Sequence, residues 1–124
     1  MKYSESLKKT KDFQNVYRRG KSYANRYLVM YVLSNQTEGN RLGISVSKKV
    51  GNSVVRHRVK RLVKESYRLH EDIFNSGLNI VITARASAAS ISFEQMESAV
   101  LHLGRLHHIM KEETKTECEA DQSN

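Results

Sequence analysis

Between Leu42 and Arg68 the chain reads LGISVSKKVGNSVVRHRVKRLVKESYR, and the fold class turns on how this run changes period. Its first part alternates Leu42, Ile44 and Val46 with Gly43 and Ser45, the two-residue period of a half-buried strand spanning Arg41 to Ser47. After Lys48-Lys49-Val50-Gly51-Asn52 the period becomes helical. From Val54 to about His70, Val55, Val59, Leu62, Ser66 and Leu69 fall within about 80° of arc at 100° per residue. Arg56, Lys60, Lys64, His57, Arg68 and Arg61 fill the opposite side. A strand followed directly by a helix with one apolar and one basic face calls for a mixed architecture of sheet and helices.

Upstream, YLVMYVL (Tyr27 to Leu33) is a continuous apolar run of β-formers, read as a central strand covered on both faces. The turn cluster NQTEGN (Asn35 to Asn40) suggests that this strand and Arg41 to Ser47 form a hairpin. Lys11 to Arg19 reads as a short helix, with Thr10 as N-cap and Gly20 as terminator. Downstream, LNIVITA (Leu78 to Ala84) is a third strand. Ser92-Phe-Glu-Gln is a capping box ahead of Met96, Ala99, Val100, Leu103, Leu106, His107 and Met110 at helical spacing. The expectation is an α+β sandwich in a single domain over residues 1–110, followed at 111–124 by an acidic segment that buries little and should be disordered.

The 124 residues carry a formal net charge of +8, unevenly placed. Residues 1–26 hold eight Lys/Arg against two acids, and residues 41–68 hold nine against Glu65 alone, whereas 69–110 and 111–124 are net acidic. Blocks of one sign attract polyanions, and RNA or DNA is the polyanion they suit. The single Cys118 excludes a disulfide framework and fits a reducing compartment. With no apolar run near the ~20 residues of a membrane span, the chain reads as soluble and cytoplasmic.

Catalytic constellations are not evident. Glu71 and Asp72 are adjacent, diverge on a helix, and read as solvated helix-end charges. His102, His107 and His108 lack the i, i+4 spacing that places two imidazoles on one helix face. No side chain is therefore assigned a catalytic or metal-binding role. Binding features are stronger. Arg56, Lys60 and Lys64 form one stripe suited to successive phosphates, and His57, Arg61 and Arg68 extend it. Lys48, Lys49 and Asn52 precede the helix N-terminus, where free N–H groups favour phosphate. Arg58 points about 160° from Arg56, at the edge of the apolar stripe. Phe13 and Tyr17, at i, i+4, and Tyr31 on the strand suit either a base-stacking platform or core packing, and spacing leaves both open.

The quoted run resembles the signature region of the bacterial ribonuclease P protein subunit. The hallmark is an Arg-Asn-Arg motif preceded by Gly-Asn and followed by Lys-Arg, and Gly51, Asn52, Arg56, Arg58, Lys60 and Arg61 match it. LKKTKDFQNVYRRGKSYANRYLVMYV is similar to the family's N-terminal helix and first strand, and ARASAA follows the third strand, so the resemblance covers residues 7–108. His57 stands where the family usually has Asn, and its ring can also donate and accept a hydrogen bond.

The resemblance implies a sandwich with about four strands, three helices and a left-handed βαβ crossover, like the second domain of a small-subunit ribosomal protein. It implies a subunit that assists a catalytic RNA in endonucleolytic removal of the 5′ leader from precursor tRNA, raising substrate affinity and lowering the Mg²⁺ requirement, with Mg²⁺ held mainly by the RNA. It further implies leader contacts from Phe13, Tyr17, Tyr31, Arg56, Lys60 and Lys64 in one cleft, and RNA-subunit contacts from Lys48, Lys49, Asn52, His57, Arg58, Arg61 and Arg68. No membrane and no small-molecule substrate enter this reading. A metal-dependent protein nuclease and a structural RNA-binding protein are the alternatives.

Overall fold

A computed structural model describes residues 4–111. In chain order, β1 (Ser4–Ser6), α1 (Thr10–Arg19), β2 (Lys21–Ala24), β3 (Leu28–Ser34), β4 (Asn40–Ser45), α2 (Ser53–Arg68), β5 (Leu78–Ala84) and α3 (Phe93–Leu106) build one sheet with helices on both faces. Short 3-10 turns at Glu71–Ile73 and Ala86–Ser90 flank β5. Strand order is β1-β4-β5-β3-β2, with β1 and β4 parallel, β4 and β5 parallel, and the other pairs antiparallel.

The sheet has five strands rather than about four. Ser4–Ser6 is too short and polar to show a strand period, and Lys21–Ala24 is an edge strand with little apolar signal. The expected hairpin between the Tyr27–Leu33 run and the Arg41–Ser47 run does not form. β5 lies between β3 and β4, so β5 holds the centre and β3 is one strand removed from the β2 edge. The physical reason lies in the turn cluster. Asn40 Nδ2 donates to Asn75 O at 2.8 Å, its Oδ1 accepts from Leu78 N at 2.9 Å, and Asn35 Nδ2 donates to Asn79 Oδ1 at 3.0 Å. These side chains hold the entry to β5 between the two strands, where its apolar residues are covered on both faces. The hairpin that does form joins β2 to β3, its turn closed by Asn25 Oδ1 accepting from Tyr27 N and Leu28 N.

Strand alternation sorts the core into two. Leu28 and Met30 of β3, Leu42 of β4 and Ile80 and Ile82 of β5 pack with α2 and α3. Tyr31, Leu33 and Val81 point the other way and pack with Leu7, Phe13 and Val16 under α1. α2 begins at Asn52, whose Oδ1 accepts from Val55 N at 3.0 Å. Its buried stripe is rotated from the expected one: Val63 and Tyr67 are fully buried, whereas Leu69, just past the last helical residue, is 49% exposed. Burial of Tyr67 is possible because its hydroxyl shares a 2.8 Å hydrogen bond with Ser4 Oγ and accepts one from Asn40 Nδ2.

α1 is preceded by Lys9, with Thr10 already inside the helix and no side-chain cap. The Ser92–Gln95 capping box of α3 forms as read. Glu71 is a further correction. It is buried, not solvated, because the 3-10 turn after α2 tucks it inward while the next turn continues to buried Phe74. The acidic segment from residue 112 onward lies outside the described residues.

Candidate nucleic-acid interface

On the α1 face, helical spacing places Phe13 and Tyr17 on the side facing the sheet. The two rings lie 6.4 Å apart, and Tyr17 meets Tyr31 of β3 edge-on at 4.8 Å. Tyr17 Oη reaches Thr83 Oγ1 of β5 at 3.4 Å, and Tyr17 remains 38% exposed. Gly43 of β4 lets the Phe13 ring lie on the sheet, since a Cβ there would sit 2.6 Å from Phe13 Cζ. This trio therefore does both jobs left open by its spacing. It closes the smaller core and presents an aromatic edge to solvent, and α1 and the residues before it also expose Lys8, Lys9, Lys11, Arg18 and Arg19. Thr83 was not singled out from the sequence. The period of β5 carries the signal, because Asn79, Val81 and Thr83 share a parity opposite to Ile80 and Ile82.

On the other face, α2 exposes His57, Lys60, Arg61, Lys64 and Arg68, with Lys48 and Lys49 exposed in the loop before it. Among the described residues, Lys60, Arg61 and Lys64 form no ion pair. Arg68 does: its Nη2 lies 2.8 Å from Glu65 Oε1, and that hydrogen bond holds the Glu65 carboxyl below its ordinary range. The other basic residues divide by structural duty. Arg56 Nε donates to Gly51 O at 3.2 Å. Arg58 donates from Nη1 to Ala89 O at 3.3 Å and from Nη2 to Ile91 O at 2.8 Å, tying α2 to the connection before α3. Asn52 spends its Oδ1 on the helix cap.

The six residues expected to contact the leader come from elements on two faces of the sheet. Phe13, Tyr17 and Tyr31 lie on the α1 face, whereas α2 packs on the opposite face through Val59, Val63 and Tyr67. The alternation of β4 and β5 enforces this separation: Leu42 and Ile82 face α2, and Gly43 and Val81 face α1. Arg56 comes nearest to sharing an end of the molecule with the aromatic trio. α2 starts beyond the C-terminal ends of β4 and β5, where Thr83 meets Tyr17, while Lys60 and Lys64 recede along a helix rising about 1.5 Å per residue.

The profile of the Ribonuclease P family matches residues 1–107. The chain belongs to the ribonuclease P protein family. Among its relatives, the ribonuclease P protein component of Lachnoclostridium phytofermentans is 61% identical over 107 residues, 86% of this chain and 92% of the relative. The ribonuclease P protein of Staphylococcus aureus superposes with a TM-score of 0.79 at 34% identity, covering 86% of this chain and 97% of the other. That of Thermotoga maritima superposes at 0.75 and 30% identity, covering 82% and 96%. As a member of the ribonuclease P protein family the chain is a component of a ribonucleoprotein endoribonuclease of tRNA processing, which implies an RNA partner.

His102, His107 and His108 are dispersed. His107 Nε2 lies 2.8 Å from Met30 O, its ring stacks edge-on against Tyr23 at 4.8 Å, and burial pushes its pKa down. His102 Nδ1 meets Asn25 Nδ2 at 3.2 Å. Among the described residues no three His, Cys, Asp or Glu side chains are grouped to hold a metal ion. No described helix is long and apolar enough to cross a membrane.

Proposed function

We propose that this ribonuclease P protein assists a catalytic RNA in cutting the 5′ leader from precursor tRNA by positioning and charge neutralisation, working in the cytoplasm. The observation that carries this reading is the pairing of an exposed aromatic edge on the α1 face with a basic face on α2 whose Lys60, Arg61 and Lys64 form no ion pair among the described residues. Stacking on Tyr17 and Tyr31 tolerates any base, as a leader without fixed sequence requires. Phe13 sets the position of Tyr17. Lys60, Arg61 and Lys64, with Lys48 and Lys49, neutralise phosphates of the RNA subunit, and His57 adds a hydrogen-bonding ring beside them. Arg56, at the end of α2 nearest Tyr17, bridges the two surfaces. Mg²⁺ belongs to the RNA in this reading, and no step runs through a metal of the chain.

The test is reconstitution with ribonuclease P RNA and precursor tRNA at low Mg²⁺. Protein should stimulate leader removal, and the assembled enzyme should hold leader-bearing tRNA more tightly than mature tRNA. Absence of stimulation would remove the reading. Equal affinity for both tRNAs would reduce the chain to a structural RNA binder.

A further inference from the structure

Residues 112–124 read EETKTECEADQSN, five acids against Lys115 alone, and lie outside the family match, which ends at residue 107. The residues just before this segment are anchored. Asn75 N donates to Ile109 O at 2.6 Å, Met110 bridges Phe74, and Lys111 N donates to Ile73 O at 2.7 Å. Residues 109–111 are thereby strapped to the turn that follows α2, so the last described residues lie beside the C-terminal end of that helix.

Three helical surfaces are candidates to receive it. The exposed cations of α1 lie across the sheet from the exit point. The outer face of α3 carries Glu94 and Glu97 against Arg105, which gives an anionic segment no net attraction. α2 is adjacent and presents Lys60, Arg61 and Lys64 without ion-pair partners among the described residues. Reach is sufficient. Thirteen residues span up to about 43 Å when extended, and the 16-residue α2 is about 24 Å long.

We propose that residues 112–124 lie along the basic face of α2, over Lys60, Arg61 and Lys64, and compete there with RNA. A tethered acidic segment of this kind suppresses weak, non-specific RNA binding, whereas an RNA that engages several surfaces at once displaces it. The competition rests on the RNA-binding reading of α2. The docking does not, and it is measured without RNA.

Cys118 is the single cysteine of the chain and lies inside the segment. A nitroxide attached to it in the full chain should, at low salt, broaden the backbone amide NMR signals of residues 60–68 well beyond those of α1 and the first turns of α3. The broadening should disappear in the variant carrying Glu112→Gln, Glu113→Gln, Glu117→Gln, Glu119→Gln and Asp121→Asn. Broadening that is uniform, or centred on α1, overturns the proposal. In unlabelled protein, the neutralised variant should bind a fluorescent oligouridylate about three- to tenfold more tightly at about 50 mM salt, the scale set by a few exposed ion pairs. The gap should close at several hundred millimolar salt as screening shortens. Equal affinities at low salt overturn the competition. Docking observed with no oligouridylate binding by either protein would instead overturn the RNA reading of α2.

Discussion

Gly43→Ala tests whether the close seating of α1 on the sheet organises the aromatic surface. The new Cβ would stand 2.6 Å from Phe13 Cζ, 2.8 Å from Phe13 Cε2 and 3.2 Å from Leu7 Cβ. Carbon atoms pack best at about 3.5–4.0 Å, so the ring must withdraw by about 1 Å. Phe13 packs against the sheet in the smaller core beside Tyr17, so displacing its ring disturbs the aromatic surface under α1. Overpacking of this kind costs about 1–3 kcal/mol, offset by the roughly 0.5–1 kcal/mol that Ala gains over Gly within a strand. The expected net loss is about 0.5–2 kcal/mol. In a Phe13→Ala background the ring clash is gone and only the 3.2 Å approach to Leu7 Cβ remains, so Gly43→Ala should become close to neutral, with a coupling of about 1–2 kcal/mol across the double-mutant cycle. Urea unfolding followed by circular dichroism measures all four proteins. In the assembled enzyme, Gly43→Ala should also weaken binding of leader-bearing tRNA while leaving mature tRNA unchanged. Additivity within about 0.5 kcal/mol would refute the geometric argument, and unchanged leader affinity would detach the aromatic trio from substrate.

Three further outcomes follow from the same geometry. Arg58→Ala should cost about 1.5–3 kcal/mol by urea titration, because it deletes the charged donors to Ala89 O and Ile91 O, and Arg58→Lys should not restore the loss since an ammonium lacks the planar fork. Lys60→Ala and Lys64→Ala should instead leave stability within about 0.5 kcal/mol and lower the log–log salt slope for single-stranded RNA by about 0.7 for each phosphate no longer neutralised; an unchanged slope in both would move the RNA path off α2. His107 has its folded-state pKa pushed below the ordinary 6.5 by burial, so below that pH the unfolded chain binds the proton more readily and stability falls on acidification; the decline in Tm from pH 7 downward should flatten in His107→Gln.

The elements with strong periodicity were legible: β5 is Leu78–Ala84 as read, α2 lies within a residue or two of its expected ends, and the α3 cap forms, although α3 stops at Leu106, short of the periodic run that continues to Met110. Strand pairing was not. Asn35 and Asn40 resemble ordinary turn residues, and only their bonds to Asn75, Leu78 and Asn79, far along the chain, reveal that they seat β5 between β3 and β4. The basic residues of α2 were identifiable as a group, and helical spacing set Arg58 apart at the edge of the apolar stripe but did not reveal its partners. It is bound to the carbonyls of Ala89 and Ile91, whereas Lys60 is free of ion pairs among the described residues.

The sequence alone determined that this is a sheet-and-helix protein with two basic blocks and a family signature, because period, charge and motif are properties of neighbouring residues. Tertiary structure decided on which faces of the sheet the candidate residues are carried, with the aromatic trio under α1 and the basic helix packed on the other face. That follows from the two-residue alternation of β4 and β5, which sends adjacent side chains to opposite faces. It acts on the site only once β5 has been inserted between β4 and β3.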